Sequence, residues 1–462
     1  MANPLLLEIL QQRLQPELWN LLQAAAQQAA AQDWQLYVVG GAVRDLLRTI
    51  AHSGEHSFLL PDVDLVVDGV DQSATIGAGV ALARSLQTQH PEARLEIHGK
   101  FQTAAVLWQN DPVLKSLAID FATARTESYP YPAANPDVEP SSIQQDLSRR
   151  DFTVNAMAIR LTAPNPGELL DLFGGQADLQ NRYLRVLHAN SFVDDPTRIY
   201  RGVRFAVRFG FEFEPQTTSY FRAAIASGIY EQTRHYQPPR PVPALQTRLK
   251  AEFKYILQAP YWKAALKQLI DLEALQCVHP TLKLERNLWR SRLADRWLHW
   301  HAKAQRYPLK FQNPAWLVLL QVLLAELAPE YRGWAAAQLQ LPVDCSDRLQ
   351  SLASAETEIA ALPEYPRPSQ VVQQLRRYDL ELLLLLAVRG ERSWRRQIWR
   401  YVTHWSQIKS PLDGGDLQAL GYKPDRRFKQ ILAALTAATL DGVIGDRAEA
   451  ESFLRTRFPL SG

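Results

Sequence analysis

The chain has 462 residues, 47% of them hydrophobic and 21% charged, with a formal net charge of +3. So much apolar sequence fills several cores and excludes a disordered chain, while the near-balance of charge neither demands nor excludes a nucleic-acid partner. Two cysteines, Cys277 and Cys345, exclude a disulfide framework and a cysteine zinc site.

The opening MANPLLLEILQQRLQ lacks the basic start and apolar block of a signal peptide. Residues 5–32, rich in Leu, Gln and Ala, read as one or two helices. Gln35–Val39 reads as a strand stopped by Gly40-Gly41. Further strands are expected at Val63, Leu65 and Val66, at Arg94–His98, at Ala104–Trp108 and at Leu117–Phe121. A small mixed α/β region therefore occupies roughly 34–160. After residue 175 helical periodicity dominates, broken at the proline clusters 238–243 and 363–368. The most apolar stretches, Trp316 to Leu327 and Leu380 to Val388, are too short or too interrupted (Gln321, Glu326, Glu381) to span a bilayer. The expected fold is α+β, a mixed α/β head (1–160) followed by a helical neck (161–258), body (259–375) and tail (376–462). The expected protein is soluble and cytoplasmic, with no membrane and no obligatory protein partner.

Gly40-Gly41-Ala42-Val43-Arg44-Asp45 follows a strand and opens a helix. Glycines let a phosphate approach the backbone, the helix start offers free N–H groups, and Arg44 adds a forked cation. A plain turn is the competing reading. Asp62-Val63-Asp64 comes on the next strand, where alternation puts both carboxylates on one face. Close like charges repel unless a cation sits between them, and Mg2+ takes one or two carboxylates plus substrate phosphates. A solvated face is the competing reading, and the preceding glycine turn favours the metal. Asp120 has two readings, a third site carboxylate or a structural partner of Arg125.

Residues 146–158, DLSRRDFTVNAMA, closely resemble the Asp-Leu-x-Arg-Arg-Asp-Phe-Thr-(Ile/Val)-Asn-Ala motif of class II tRNA nucleotidyltransferases, the family of CCA-adding enzymes and bacterial poly(A) polymerases. The turn at 40–45 with Asp62 and Asp64 then resembles that family's first motif, and DLFGGQADL (171–179) its head-to-neck hinge. DDPTRIYRGVRF (194–205) resembles its base-selecting motif, and RLKAEFKYIL (248–257) its fifth. A weaker likeness covers a C-terminal element at 413–450. The resemblance implies a nucleotidyltransferase head in which Gly40, Gly41, Arg44 and Asp45 form the nucleotide turn and Asp62 and Asp64 bind Mg2+. It also implies that Arg150 and Asp151 hold the triphosphate and ribose, with Asn155 near the sugar. Asp195 and Arg198 would read the base, supported by Arg201 and Arg204. The chain departs from the pattern at Asp194 (usually Glu), at Gln102 (often Gly after Phe101), in an insertion at 49–61, and in Pro130, Pro132, Pro136 and Pro140 where the family has a flexible loop.

Asp195 and Arg198, at i and i+3 on an expected helix, share a face. The carboxylate only accepts and the guanidinium only donates, which matches cytosine and adenine and opposes uracil and guanine. An ordinary helix salt bridge is the competing reading. Arg198, Arg201, Arg204 and Arg208 extend a basic stripe, read as nucleotide or tRNA phosphate contacts or as a solvated face. Further on, Trp289, Leu293, Trp297 and Trp300 mark a helix core stripe. Arg389, Arg392, Arg396 and Arg400 line an expected helix face suited to RNA phosphates, or simply to water. The leading expectation is an enzyme that adds CMP and AMP from CTP and ATP to the tRNA 3′ end. CC-only, A-only and poly(A) addition stand as alternatives within the family. A non-catalytic RNA-binding protein and a nucleotidyltransferase for small molecules stand outside it.

Overall fold

The computed structural model describes residues 4–51, 62–69, 77–99, 102–235, 240–304, 308–424 and 426–460, without the side chains of residues 4, 5, 51, 62 and 426. Most of the insertion at 49–61, Phe101 and the start of the 238–243 proline cluster lie outside them. The chain divides into two compact units, Met1–Glu252 with Asp271–Cys277, and Phe253–Ile270 with Val278–Gly462.

The first unit opens with α1 (Pro4–Arg13) and α2 (Pro16–Ala30), followed by β1 (Gln35–Val39), α3 (Gly41–Ala51), β2 (Asp62–Asp68) and α4 (Ala78–Gln89). Next come β3 (Arg94–His98), β4 (Thr103–Leu107), β5 (Ala118–Thr123), β6 (Arg125–Ser128), β7 (Asp137–Pro140), α5 (Ile143–Ser148), β8 (Met157–Arg160) and β9 (Leu169–Asp171). Seven strands form one sheet in the order β3-β4-β5-β2-β1-β8-β9. Only β2 and β5 run parallel within it; the other neighbours are antiparallel. Five of the seven strands lie where alternation and β-branched residues predict them. β8 begins in the last two residues of the DLSRRDFTVNAMA motif, and β9 lies past residue 160, so the sheet outruns the expected head boundary.

The two faces of this sheet differ, and that difference positions the site. Leu36, Val38, Val63, Leu65, Val67, Val106, Ile119 and Phe121 point into one large core shared with the leucines and alanines of α2 and α4. Tyr37, Val39, Val66 and Ala158 belong to a smaller cluster with Ile143 and Leu147 of α5. Side chains alternate across a sheet, so the residues between Val63, Leu65, Ile119 and Phe121 are turned away from the large core.

Beyond the sheet come α6 (Gly175–Asn181), β10 (Tyr183–Leu184), α7 (Ser191–Asp194), α8 (Thr197–Phe209), β11 (Glu212–Phe213), α9 (Pro215–Ala226), α10 (Ile229–Arg234) and α11 (Thr247–Gln258). The second unit carries α12 (Trp262–Asp271), α13 (Trp289–Lys303), α14 (Ala315–Leu324), α15 (Pro329–Gln338), α16 (Val343–Ala360) and α17 (Pro368–Leu375). It ends with α18 (Leu380–Arg389), α19 (Arg392–Thr403), α20 (Gly414–Ala419), α21 (Arg426–Leu440) and α22 (Arg447–Arg457). Its last helices have a core of their own around Leu412, Leu417, Ile431, Leu435 and Leu454. Trp297 and Trp300 of α13 pack on Trp399 at 5.0 and 4.5 Å between ring centroids, as expected of a core stripe. No helix among the described residues is long and apolar enough to cross a membrane.

The expected arginine face does not run through one helix. Arg389 ends α18, and Gly390 in an extended conformation separates it from α19. Its guanidinium is held by Glu356 at 2.6 Å and by the Ala325 carbonyl at 2.7 Å. Arg389 therefore ties helix ends together. Arg392, Arg396 and Arg400 recur every fourth residue on α19 and are exposed.

Candidate active site

Gly40 joins β1 to α3 with a φ of +68°, a conformation glycine adopts without penalty. A Cβ there would stand 2.9 Å from Nη1 of Arg150 and 3.6 Å from Oδ2 of Asp64. The bare glycine backbone, a guanidinium and a carboxylate thus converge on one point. Asp64 lies abreast of Asp120 in the parallel β2–β5 register, and both are exposed on the face turned away from the large core. Adjacent strands are about 4.8 Å apart, so the two carboxylates are close neighbours. Asp62 pairs with Ala118 one step earlier; its side chain lies outside the described residues. Arg125, the alternative partner considered for Asp120, gives one nitrogen to Glu127 at 3.2 Å.

Arg44 is buried, and its fork is engaged internally. Nε and Nη2 bind the two oxygens of Asp45, each at 2.9 Å, and Nη1 binds Oδ1 of Asn155 at 2.6 Å. The guanidinium also lies over the Phe209 ring, 4.6 Å from its centroid. From Asn155 the network continues to Asp151 at 2.9 Å, and Asp151 accepts Nε and Nη2 of Arg201 at 2.9 and 2.8 Å. Arg201 reaches on to Glu252 at 3.7 Å, which also takes Arg204 at 3.1 Å. Burial alone would raise the Asp151 pKa, but Arg201 and the Asn155 amide outweigh it and bring it down to about 2. Asp151 is thus a charged anchor. Of the expected basic stripe, Arg201 and Arg204 are tied to buried acids, which excludes a purely solvated face for them.

Asp195 is not on the helix that carries Arg198. It precedes Pro196, and the clash of a proline ring with the preceding residue keeps that residue extended (φ −139°, ψ 98°). From there Oδ1 accepts the Thr197 amide at 2.9 Å and its hydroxyl at 2.5 Å, while Oδ2 faces Arg248 at 3.4 Å. Arg198 gives Nη1 to the Ser191 hydroxyl at 2.6 Å and Nη2 to the Arg149 carbonyl at 2.9 Å. Both residues are nearly buried, and among the described residues they form no ion pair with each other. An i, i+3 helix salt bridge is therefore not what this pair makes. Each is held separately, with acceptor and donor capacity to spare.

The loop between β6 and β7 carries the prolines of 130–136 and is fastened to the neck. The Ala133 amide donates to the Asp194 carbonyl at 3.1 Å, and the Ala133 carbonyl accepts the Ala244 amide at 3.2 Å. Arg248 donates to the Ala134 carbonyl at 2.8 Å and the Tyr131 hydroxyl to the Pro241 carbonyl at 2.9 Å. Gln102, the departure from the family pattern, occupies a left-handed φ of +50°, a conformation that glycine adopts without penalty.

The description "Poly A polymerase head domain" matches residues 36–185. The chain is 28% identical over 461 residues to the A-adding tRNA nucleotidyltransferase of Halalkalibacterium halodurans, covering 98% of this chain and 96% of that one. It is 30% identical over 420 residues to the A-adding tRNA nucleotidyltransferase of Geobacter sulfurreducens, covering 89% of this chain but only 44% of that longer relative. The Thermotoga maritima CCA-adding enzyme, solved in complex with tRNA_CCA, superimposes with a TM-score of 0.71 at 25% identity over 98% of both chains. Residues 36–185 carry the poly(A) polymerase head domain, and along its whole length the chain is similar to tRNA nucleotidyltransferases.

Nucleotidyltransferases generally use divalent metal ions. Among the described residues no group of three or more His, Cys, Asp or Glu side chains forms a metal site on its own. Two neighbouring carboxylates nonetheless suit a hard cation such as Mg2+, which keeps several waters and shares its sphere with substrate phosphates. The residues around the nucleotidyltransferase site that went unassigned in the sequence are Asp146, Ser191, Arg248 and Glu252. Asp146, Arg248 and Glu252 lie inside motifs quoted for other residues, so the signal was present, but only contacts reveal their partners.

Proposed function

We propose that this chain adds AMP from ATP to the 3′ end of tRNA, without a template, and releases pyrophosphate. The observation that supports this best is the chain of contacts Asp45–Arg44–Asn155–Asp151–Arg201, buried at its centre, which links the glycine turn to the helix carrying Arg198. In the reaction the 3′-hydroxyl oxygen forms a bond to the α-phosphorus, loses its proton, and the bond to pyrophosphate breaks. Asp62 and Asp64, with Asp120 abreast, would hold Mg2+, which when bound neutralises phosphate charge and lowers the pKa of the attacking hydroxyl. Gly40 leaves room for phosphate oxygens, and Arg150 offers its guanidinium beside Asp64. On the other side Asp195 accepts the adenine amino group and Arg198 donates to ring N1. A uracil or guanine carbonyl would meet the carboxylate instead and be repelled.

Restriction to AMP is supported by the two A-adding relatives and by the fastened loop at 130–136. Adding C, C and then A requires a site that changes its choice between steps. Four hydrogen bonds from that loop to the neck, around Asp194 and Asp195, favour a pocket of one shape. Full CCA addition is the second reading, because the Asp195 acceptor and Arg198 donor suit cytosine as well as adenine. The test is incubation of the pure protein with tRNAs lacking one, two or three terminal nucleotides, each with labelled CTP or ATP. Extension only of the tRNA ending in CC, and only with ATP, is the expected result. Extension of all three would establish CCA addition, and extension of none would end the functional reading. Equal extension of RNAs unrelated to tRNA would point to poly(A) synthesis.

A further inference from the structure

Asp146 is the most deeply buried carboxylate near the site, with no solvent exposure, and it serves two neighbouring arginines at once. Oδ1 accepts Nε and Nη2 of Arg149 at 3.1 and 2.6 Å, and Oδ2 accepts Nη2 of Arg150 at 3.0 Å. Burial works against its charge, yet Arg150 and Arg149 hold its pKa below the ordinary carboxylate range. Two consecutive guanidinium groups would otherwise repel and share no common direction. The carboxylate parts them. Arg149 turns its remaining Nη1 to Glu127 at 2.6 Å, and its carbonyl receives Nη2 of Arg198 at 2.9 Å. Arg150 brings Nη1 to the bare face of Gly40 beside Asp64.

We propose that Asp146 is a positioning residue for both halves of the nucleotide site, setting Arg150 toward the triphosphate and, through Arg149, setting Arg198 toward the base. The proposal rests on the reading that Arg150 and Arg198 meet the nucleotide. Neither arginine depends on Asp146 for its charge; each depends on it for direction. Loss of the carboxylate charge therefore weakens nucleotide binding and base choice together, which a purely structural contact would not do.

The test is Asp146→Asn in the full-length protein, which keeps the shape and removes the charge. Thermal melting first establishes that the variant is folded. With a tRNA ending in CC, the KM for ATP is expected to rise about tenfold, and the preference for ATP over UTP to fall by about the same factor, as when one charged hydrogen bond is lost. Affinity for tRNA, measured by fluorescence anisotropy, is expected to stay within about twofold. A fall in kcat alone, with KM and base preference at wild-type values, would overturn the proposal and leave Asp146 a scaffold residue. If Asp146→Asn does not fold, Arg149→Gln keeps the backbone carbonyl that Arg198 binds, removes the guanidinium contacts to Asp146 and Glu127 that fix that carbonyl in place, and leaves Arg150 bound to Asp146. Loss of base preference in that variant supports the proposal, and unchanged preference overturns it. A wild-type protein that extends no RNA would refute the functional reading. Binding of a non-hydrolysable ATP analogue by calorimetry would then decide on Asp146, and equal affinity in wild type and Asp146→Asn would count against it.

Discussion

Gly40→Ala adds one methyl group at the point where the glycine turn, Arg150 and Asp64 meet. Two costs can be separated. Alanine at a φ of +68° is strained by about 1–2 kcal/mol. In a unit of some 250 residues that lowers Tm by roughly 2–8 °C. The second cost is local. The methyl carbon would stand 2.9 Å from Nη1 of Arg150, well inside ordinary carbon–nitrogen contact. Arg150 cannot retreat freely, because its Nη2 is bound to the buried Asp146 at 3.0 Å. A shift of about 1 Å in a group that positions substrate costs on the order of a hundredfold in rate. The expected outcome is a folded protein with kcat/KM for ATP about a hundredfold down, measured as labelled AMP incorporation into tRNA ending in CC. Gly210→Ala provides the comparison. Its φ is +69° and nothing lies within 4 Å of the added methyl, so the same loss of Tm is expected with activity retained. A folded Gly40→Ala protein with wild-type kcat/KM would refute the assignment of this turn to the nucleotide site.

Asp64→Ala and Asp120→Ala are each expected to reduce nucleotide addition by at least about a thousandfold while tRNA affinity persists; near-normal turnover in Asp120→Ala would leave it outside the metal site. Replacing Arg392, Arg396 and Arg400 together with Ala is expected to weaken tRNA binding and flatten its salt dependence by up to about 0.9 per lost phosphate contact, read from binding isotherms at several salt concentrations. Arg389→Ala is expected instead to lower Tm through its lost bonds to Glu356 and Ala325, with the salt slope unchanged. Asp151 predicts an acid limb of stability. Its folded pKa of about 2 lies below the unfolded value of about 3.9. Its contribution is therefore full above about pH 4 and is lost as pH falls through about 2. That contribution is roughly 1–2 kcal/mol, because the partly exposed Arg201 is screened by water. Asp151→Asn should lose this stability at pH 7 and show a flatter acid limb in urea melts between pH 5 and pH 2.

The strands with alternating apolar residues, the glycine turn and the helical second half were legible in the sequence because each depends on local pattern. β8 was not, because Met157–Arg160 starts at the end of a motif that reads as chemistry, and Met157, Ala158 and Ile159 are buried without alternation. Spacing alone sets Asp195 and Arg198 on one helix, but Pro196 between them holds Asp195 extended and outside it. Arg389 was grouped with three arginines by periodicity across a glycine that ends a helix. Spacing sets Arg201 and Arg204 on a basic stripe. Their acid partners, Asp151 and Glu252, are 50 and 48 residues away in the chain. Periodicity reports which face a side chain shares; it carries no information about which acid waits on the other side.

That long-range pairing bears on how a protein can choose a base without a template. Selection by a hydrogen-bonding pattern works only if donor and acceptor are fixed more firmly than the difference between right and wrong bases, about 1–3 kcal/mol for each unpaired buried group. A free Asp and Arg on a helix surface would swing to suit any base. Here Asp195 is held by the Thr197 amide and hydroxyl and faced by Arg248, and Arg198 by a hydroxyl and a carbonyl. Those supports come from the neck and, through Arg149, from the segment that also directs Arg150 toward Gly40. The proposed phosphate end and base end of the nucleotide site would thus be referred to one buried frame, with Asp146 and Asp151 as its charged joints. Under the proposed function, a base that failed to match Asp195 and Arg198 could not be accommodated by moving them without also disturbing the groups beside Asp64.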